Sequence, residues 1–176
     1  MGKISDSHLK ALKKVGIPVV LVDFTSLGDP CDCVLTHNRQ GGYMLTDYVV
    51  LKGYKTIGFF GDLDYSFSFQ DRFMGYKQAL IQNQIVSSEE VDSYIEEHSF
   101  LHNIEKYILA NEITEIVKIL KSKKLPEVLI CANDSNAFAV ISALKDMGLK
   151  IPEDIGVTGF DDTPLCEKAN PQITTV

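Results

Sequence analysis

The sequence predicts an α/β fold in which helices flank a parallel β-sheet, and three observations lead to that prediction. Short apolar runs rich in Val and Ile alternate along the chain with amphipathic stretches of about ten residues or more, as in consecutive βαβ units. Each run is almost continuously apolar, which is typical of strands buried on both faces. With 176 residues, 45% apolar and 23% charged, the chain has the size and composition of a globular domain.

The first two predicted elements are a helix and a strand. Leu9 and Leu12 stand at helical spacing, and Gly16 is a residue type that ends helices. Residues 18–23 form a β-branched run that closes with an acid, Asp23, and this pattern predicts a buried strand.

The next three predicted elements follow a helix–strand–helix order. A helix is predicted to begin at Asn38, a residue type that caps helices, and to end at Gly53. Residues 55–60 predict the second strand, and a further helix is predicted to start near Phe69.

The second half of the chain continues the alternation. Residues 93–98 predict a strand, and the stretch after it predicts two helices separated near Asn111. Residues 127–131 then predict a strand, 135–147 a helix and 155–160 the last strand. Because parallel strands are joined by right-handed crossovers, their carboxyl ends are expected to share one edge of the sheet.

Polar residues follow the predicted strands at that edge, where open parallel sheets bind their ligands. These residues are Asp23, the 66–72 segment with Arg72, Asn133, Asp134, Asp161 and Asp162. Carboxylate, amide and guanidinium groups together suit a neutral polyhydroxylated or heterocyclic ligand. The aromatic side chains that could cover its apolar face are Phe24, Phe67, Phe69 and Phe100.

Each of these residues also has a purely structural interpretation. Asp161 and Asn133 could cap the helices that follow them. Arg72 could be a solvated charge on a helix, and the phenylalanines could belong to the core. The residues alone leave both interpretations open.

Charge and composition exclude several classes of function. Seventeen basic and 24 acidic side chains give a net charge of −7, and the densest basic run is the short 121–124 segment. A nucleic-acid surface needs clustered cations, so this chain is not expected to bind DNA by itself. The apolar runs are far shorter than the roughly 20 residues that span a membrane, and no secretion signal is expected.

Motifs for catalysis and for cofactors are missing from the sequence. It contains neither a Gly-x-Ser-x-Gly elbow nor a phosphate-binding Gly-x-x-x-x-Gly-Lys loop. Cys31 and Cys33 are too close for a structural zinc knuckle, and His98 and His102 have no further ligands at metal spacing. We therefore expect no enzyme activity, no cofactor, no metal and four free thiols.

Seven motifs, taken together, resemble one protein family. They are Gly16-Ile-Pro-Val-Val-Leu-Val-Asp23, Asn38-x-x-Gly-Gly-Tyr43, Gly53-Tyr-Lys-Thr-Ile-Gly58, Asp71-Arg-Phe-Met-Gly-Tyr76, Cys131-Ala-Asn-Asp134, Ile151-Pro-Glu-Asp-Ile-Gly-Val-Thr-Gly-Phe-Asp-Asp162 and Pro171-Gln-Ile-Thr-Thr-Val176. In this order they cover nearly the whole chain. The series resembles the effector-binding region of the lactose-repressor-like (LacI/GalR) bacterial transcription regulators, which share the type I periplasmic-binding-protein fold.

The resemblance implies two α/β subdomains with an effector between them, and a homodimer. Residues 1–37 would be a remnant of the N-terminal subdomain, 38–159 the C-terminal subdomain and 160–176 the return crossing. The family's helix-turn-helix domain is expected to lie outside this sequence, so that operator DNA would be bound only through that domain.

The resemblance also implies which side chains touch the effector. Arg72 matches the family's effector-clamping arginine, and Asn133 matches the asparagine after the Cys-Ala strand. Asp161 matches the first acid of the Gly-Phe-Asp-Asp turn, and Asp23 matches the ligand-side acid that ends the first strand. Phe67 and Phe69, taken from the aromatic candidates above and not from the resemblance, complete the expected set of effector-binding residues.

The function implied is the effector-binding portion of a cytoplasmic transcription regulator, with a small polar metabolite, in the first place a sugar, as effector. The alternative is a solute-binding protein of a sugar transport system, which a signal peptide in the parent gene would indicate. An enzyme is the third class, and the sequence supplies no nucleophile or cofactor loop for it.

Overall fold

The computed structural model describes residues 6–16, 18–23 and 31–176. The chain divides into two compact units, Met1–His37 and Asn38–Val176. Phe24, one of the aromatic candidates, lies outside the described residues.

The described part of the first unit contains one helix and two short strands. They are α1 (Asp6–Lys14), β1 (Val20–Val22) and β2 (Asp32–Val34). The two strands pair in parallel. Leu9 and Leu21 are buried, whereas Leu12 of α1 and Val20 and Val22 of β1 are exposed. The prediction of a buried strand over residues 18–23 is therefore wrong, since only the central residue of β1 is buried.

The second unit contains a parallel sheet of three strands. In spatial order they are β3 (Ile57–Phe60), β4 (Val128–Cys131) and β5 (Gly156–Thr158), so that β4 is central. Single parallel bridges extend the sheet on both sides, from Phe60 to Phe100 and from Thr158 to Thr174. All carboxyl ends therefore meet at one edge.

Helices cover both faces of this sheet. They are α2 (Asn38–Leu51), α3 (Phe67–Gln82), α4 (Val91–His98), α5 (Glu105–Leu109), α6 (Ile113–Lys121), α7 (Asp134–Asp146) and α8 (Leu165–Lys168). Side chains alternate along each strand: Ile57 and Phe59 pack with α2, α3 and α4, whereas Phe60 packs with the later helices. This two-sided burial explains why the strands are continuously apolar in sequence, and the predicted fold class is confirmed.

The strand predicted over residues 93–98 is wrong, since these residues belong to α4. Val91, Ile95 and His98 are buried there, and their spacing of four and three residues is that of one helix face. Val91 precedes the predicted segment, and without it the helical period is not visible. The predicted break near Asn111 is confirmed, because this residue has a positive φ of 55° between α5 and α6.

The last residues pack within the second unit. Gly159 N donates to Thr174 O, and Asp161 N donates to Val176 O, at 2.9 Å each. The assignment of 160–176 to a return crossing stays a prediction. Within the described ranges, no helix has both the length and the apolar character needed to cross a membrane.

Candidate functional site

The candidate site is built around Arg72, which lies in the second turn of α3. Ser66 starts this helix: its backbone is extended and its hydroxyl oxygen accepts a hydrogen bond from Phe69 N at 3.2 Å. Phe69, Arg72 and Tyr76 are buried on one helix face at spacings of three and four residues. The helix register therefore directs the guanidinium into the protein at the carboxyl edge of the sheet.

Each nitrogen of the Arg72 guanidinium has an acceptor. Nε donates to Asn38 Oδ1 at 2.8 Å, and Nη1 donates to the carbonyl oxygen of Ala132 at 2.7 Å. Nη2 donates to Asp161 Oδ1 at 2.8 Å and forms an ion pair with it. These partners come from the start of α2 and from the segments after β4 and β5, so the arginine connects three parts of the sheet edge.

The Phe160 ring covers one face of the same guanidinium. The central carbon of Arg72 lies 3.7 Å from the ring centroid, a cation–π distance. Arg72 is only 7% exposed. A planar guanidinium fixed by stacking and by hydrogen bonds on all sides is rigid and offers the solvent only a small edge.

Asp161 occupies an unusual backbone conformation. Its φ is 99°, and Asp162 follows with a φ of 47°, in regions that non-glycine residues rarely adopt. The side chain of Asp161 remains 40% exposed while it accepts from Arg72. The interpretation of Asp161 as a helix cap is wrong, since Pro164 holds the cap position of α8.

Asp134 holds the turn that carries Asp161. It is 1% exposed. Its Oδ2 accepts from Thr163 N at 2.7 Å, and its Oδ1 accepts from Thr175 Oγ1 at 2.8 Å. This buried carboxylate at the start of α7 therefore fixes both the 161–163 turn and the end of the described chain.

Asn133 follows β4 and caps α7. Its Oδ1 accepts from Asn136 N and from Asn136 Nδ2, at 2.9 Å each. The predicted capping role is confirmed. Asn133 is half-buried and directly follows Ala132, whose carbonyl oxygen binds Arg72.

The profile of the family described as periplasmic binding protein-like domain matches residues 46–176. The chain belongs to this family. Two bacterial repressors are similar to this periplasmic binding protein-like domain in sequence. The HTH-type transcriptional repressor PurR of Vibrio atlanticus is 31% identical over 161 residues, which cover 91% of this chain and 45% of that protein. The arabinose metabolism transcriptional repressor of Geobacillus stearothermophilus is 30% identical over 177 residues, covering 99% and 46%.

The fold is shared with solved regulators. A LacI family transcriptional regulator from Enterococcus faecium, solved with bound ribose, superposes with a TM-score of 0.74 over 97% of this chain and 60% of that chain, at 24% identity. The predicted resemblance to lactose-repressor-like regulators is confirmed by these relatives, which are regulators and not enzymes. This periplasmic binding protein-like domain spans about half the length of the two repressors.

Of the four aromatic candidates, Phe69 and Phe100 are buried in the core and Phe67 is exposed. Phe69 is 4% exposed and belongs to the core beneath α3, with its ring centroid 5.3 Å from that of Tyr65. Phe67, the first residue of α3, is 55% exposed. Phe67 is thus available to an apolar ligand face, whereas Phe69 packs in the core below.

Asp23 lies in the first unit of the domain. Its Oδ1 accepts from the backbone N of Thr36 at 3.1 Å and from Thr36 Oγ1 at 2.6 Å. Its φ is 50°. A ligand contact by Asp23 stays a prediction.

Sequence reasoning missed two of the residues that contact Arg72. Asn38 was predicted only as a helix cap, and its side-chain oxygen instead accepts from Arg72. Phe160 was assigned to a strand, and its ring stacks on the same guanidinium. The sequence signal for both is indirect, because a buried arginine needs acceptors and a flat surface that only the tertiary fold supplies.

The described residues also include four thiols and a cluster of two aspartates and a histidine. All four cysteines are free, as predicted, and burial raises the pKa of Cys131 and that of Cys166, the latter to about 11. Asp62, Asp64 and His102 bring ligand atoms within 4.8 Å of one another. The Asp62 carboxylate accepts from the backbone N of Asp64 and of Ile104, so its position is explained by its loop.

Proposed function

We propose that this domain is the effector-binding portion of a bacterial transcription regulator and that the effector is a small polar metabolite, in the first place a sugar. The observation that carries the proposal is the buried guanidinium of Arg72, held at the carboxyl edge of a parallel sheet and paired with the partly exposed Asp161. Ligands of such sheets bind at this edge.

The chemistry of the pair favours an uncharged, hydroxyl-rich ligand. Asp161 neutralises the charge of Arg72, so the site has little net attraction for an anion. The side chain of Asp161 is 40% exposed, and a carboxylate accepts hydrogen bonds from hydroxyl groups. The exposed ring of Phe67 could cover the apolar face of a sugar.

The similar proteins support the same proposal. The named relatives are repressors, and one neighbour in fold was solved with ribose, which favours a regulator over the alternative of a transport protein. By the same comparison we propose a cytoplasmic homodimer whose operator DNA is bound by a segment outside this sequence. Effector binding would then act by shifting the equilibrium between conformations of the whole regulator.

The proposal is tested by measuring sugar binding to the wild-type chain and to an Asp161→Asn variant. A panel of pentoses and hexoses, with d-ribose first, is titrated and followed by ligand-observed NMR. Asparagine tolerates the positive φ and keeps an acceptor for Arg72, so the fold should survive. Because a carboxylate acceptor is lost, affinity should fall about tenfold or more.

The neighbouring Asp162→Asn variant is the matched control. It removes the same charge from the same turn at a residue whose φ is also positive, and it should bind the sugar as the wild type does. No binding by any sugar of the panel, or equal loss in both variants, would contradict the assigned site.

A further inference from the structure

A series of hydrogen-bonded, buried polar side chains connects α5 with Asn133. Glu105, the first residue of α5, is 6% exposed, and its Oε1 accepts from Asn136 Nδ2 at 2.7 Å. Asn136 is fully buried, and the same Nδ2 also reaches Asn133 Oδ1 at 2.9 Å. Three side chains are thus connected in the order Glu105, Asn136, Asn133.

The carboxylate of Glu105 determines the orientation of the Asn136 side-chain amide. A carboxylate only accepts hydrogen bonds, so Asn136 must direct its NH2 group towards Glu105. Its Oδ1 is buried without a hydrogen-bond partner among the described residues. Turning the amide over would place Oδ1 against two acceptors, Glu105 Oε1 and Asn133 Oδ1. The unpartnered oxygen therefore marks an orientation that Glu105 imposes.

The orientation of Asn136 in turn fixes the orientation of Asn133. Two donors of Asn136, its backbone N and its Nδ2, converge on Asn133 Oδ1. The amide nitrogen of Asn133 is consequently the end that remains for other partners, and no hydrogen bond from it is found in the described part of the chain. Asn133 is half-buried beside Ala132, whose carbonyl oxygen binds Arg72.

We propose that Glu105 and Asn136 are positioning residues of the effector site, and that through them Asn133 presents a hydrogen-bond donor to the effector. The inference rests on the proposed function, which places the effector at this edge. It deepens that function, since the effector must offer an acceptor here, such as a hydroxyl or ring oxygen. An apolar edge would leave the amide of Asn133 without a partner.

The electrostatic surroundings show what would undo this arrangement. Burial raises the pKa of Glu105, the negative charge of Asp62 acts in the same direction, and the hydrogen bond from Asn136 opposes both. A protonated Glu105 would be able to donate to Asn136 Oδ1. That bond requires the Asn136 amide to turn over, which would replace the donor that faces Asn133 Oδ1 by an acceptor.

The donor role of Asn133 is tested with an Asn133→Asp variant. Aspartate caps a helix as well as asparagine does, so thermal stability should stay close to that of the wild type. Aspartate cannot donate, however, and the affinity for d-ribose should fall about tenfold. Asn111→Asp, an exposed change between α5 and α6, is the control and should leave ribose binding unchanged. Wild-type affinity in Asn133→Asp would overturn the donor role.

The positioning roles are tested without any ligand, by NMR of the side-chain amides in chains labelled at asparagine. In the wild type, the Asn136 and Asn133 amide signals should follow the titration of a carboxyl group. This dependence should disappear in Glu105→Gln and persist in Glu112→Gln, an exposed glutamate that precedes α6. Asn133 signals that titrate identically in Glu105→Gln and in the wild type would overturn the proposal.

The two measurements separate the failure of this inference from failure of the proposed function. A wild-type chain that binds no ribose would count against the proposed function in its ribose form. The amide signals would still decide whether Glu105 orients Asn136 and Asn133. Ribose binding that is unaffected by Glu105→Gln and by Asn136→Leu would reject the positioning roles while leaving the effector site in place.

Discussion

Among the single residues outside the site, Glu127 has the clearest dependence on pH. Its Oε2 accepts from the backbone N of Lys55 at 2.5 Å and of Thr56 at 3.2 Å, and these bonds lower the pKa of Glu127. Because its pKa is lower in the folded state, the ionised Glu127 stabilises the fold at pH values above its ordinary pKa of 4.5. This stabilisation is lost as the pH falls through the folded-state pKa. In the Glu127→Gln variant, the melting temperature should therefore fall less steeply as the pH is lowered from 7 to 3.

Glu105 supplies a control of opposite sign. Its pKa is raised in the folded state because burial disfavours the charge, so the stability it contributes falls as the pH rises through the window above 4.5. Glu105→Gln should remove the decrease in melting temperature above pH 4.5 and leave the melting temperatures measured below pH 4 unchanged. Parallel melting profiles for Glu127→Gln and the wild type would contradict the role of Glu127.

At the scale of elements, the contact between α2 and α3 determines where Arg72 stands. A Cβ atom added to Gly75 would overlap the carbonyl oxygen of Arg39, and one added to Gly42 would overlap that of Arg72 itself. The two helices can approach this closely only because both positions are glycine. Gly75→Ala should therefore destabilise the fold by about 1–3 kcal/mol in urea unfolding, since the helices must separate.

The sign of that effect distinguishes packing from helix propensity. Alanine is the better helix former by roughly 1 kcal/mol, so a glycine with free space would give a more stable alanine variant. Gln82→Ala, at the exposed end of α3, is the control and should change stability by less than about 0.5 kcal/mol. A stabilised Gly75→Ala variant would mean that the helix contact does not constrain α3.

The strands and the residues that follow them also show how much of the fold can be predicted from the sequence. The buried strands β3 and β4 were predictable, because both faces are covered and their residues are continuously apolar. Strand β2 was not, since all three of its residues are exposed and leave no burial pattern. Arg72 and Asp161 were both predicted at the carboxyl edge of the sheet, whereas Asn136 was missed. Its role depends on Glu105, 31 positions away in sequence, and only the tertiary fold brings the two together.

At the scale of the whole molecule, charge decides which macromolecules this domain can bind by itself. The net charge is −7, and phosphate backbones are bound by clustered cations that displace counterions. The densest basic segment contains Lys121, Lys123 and Lys124. Lys123 donates to the carbonyl oxygens of Glu96 and Ser99, at the end of α4. One of these three ammonium groups is therefore already hydrogen-bonded within the protein.

The last prediction is that this domain alone does not bind duplex DNA at physiological salt. Two remaining lysines in that segment can neutralise about two phosphates, and an affinity that rests on so few contacts disappears as salt rises. A mobility-shift titration at 150 mM salt should show no complex with micromolar protein, and any complex at 20 mM salt should dissociate on salt addition. A Lys121→Ala and Lys124→Ala double variant is the control for that low-salt complex. A salt-resistant complex would show that the domain has a DNA-binding surface of its own. It would contradict the proposal that operator DNA is bound only by a segment outside this sequence.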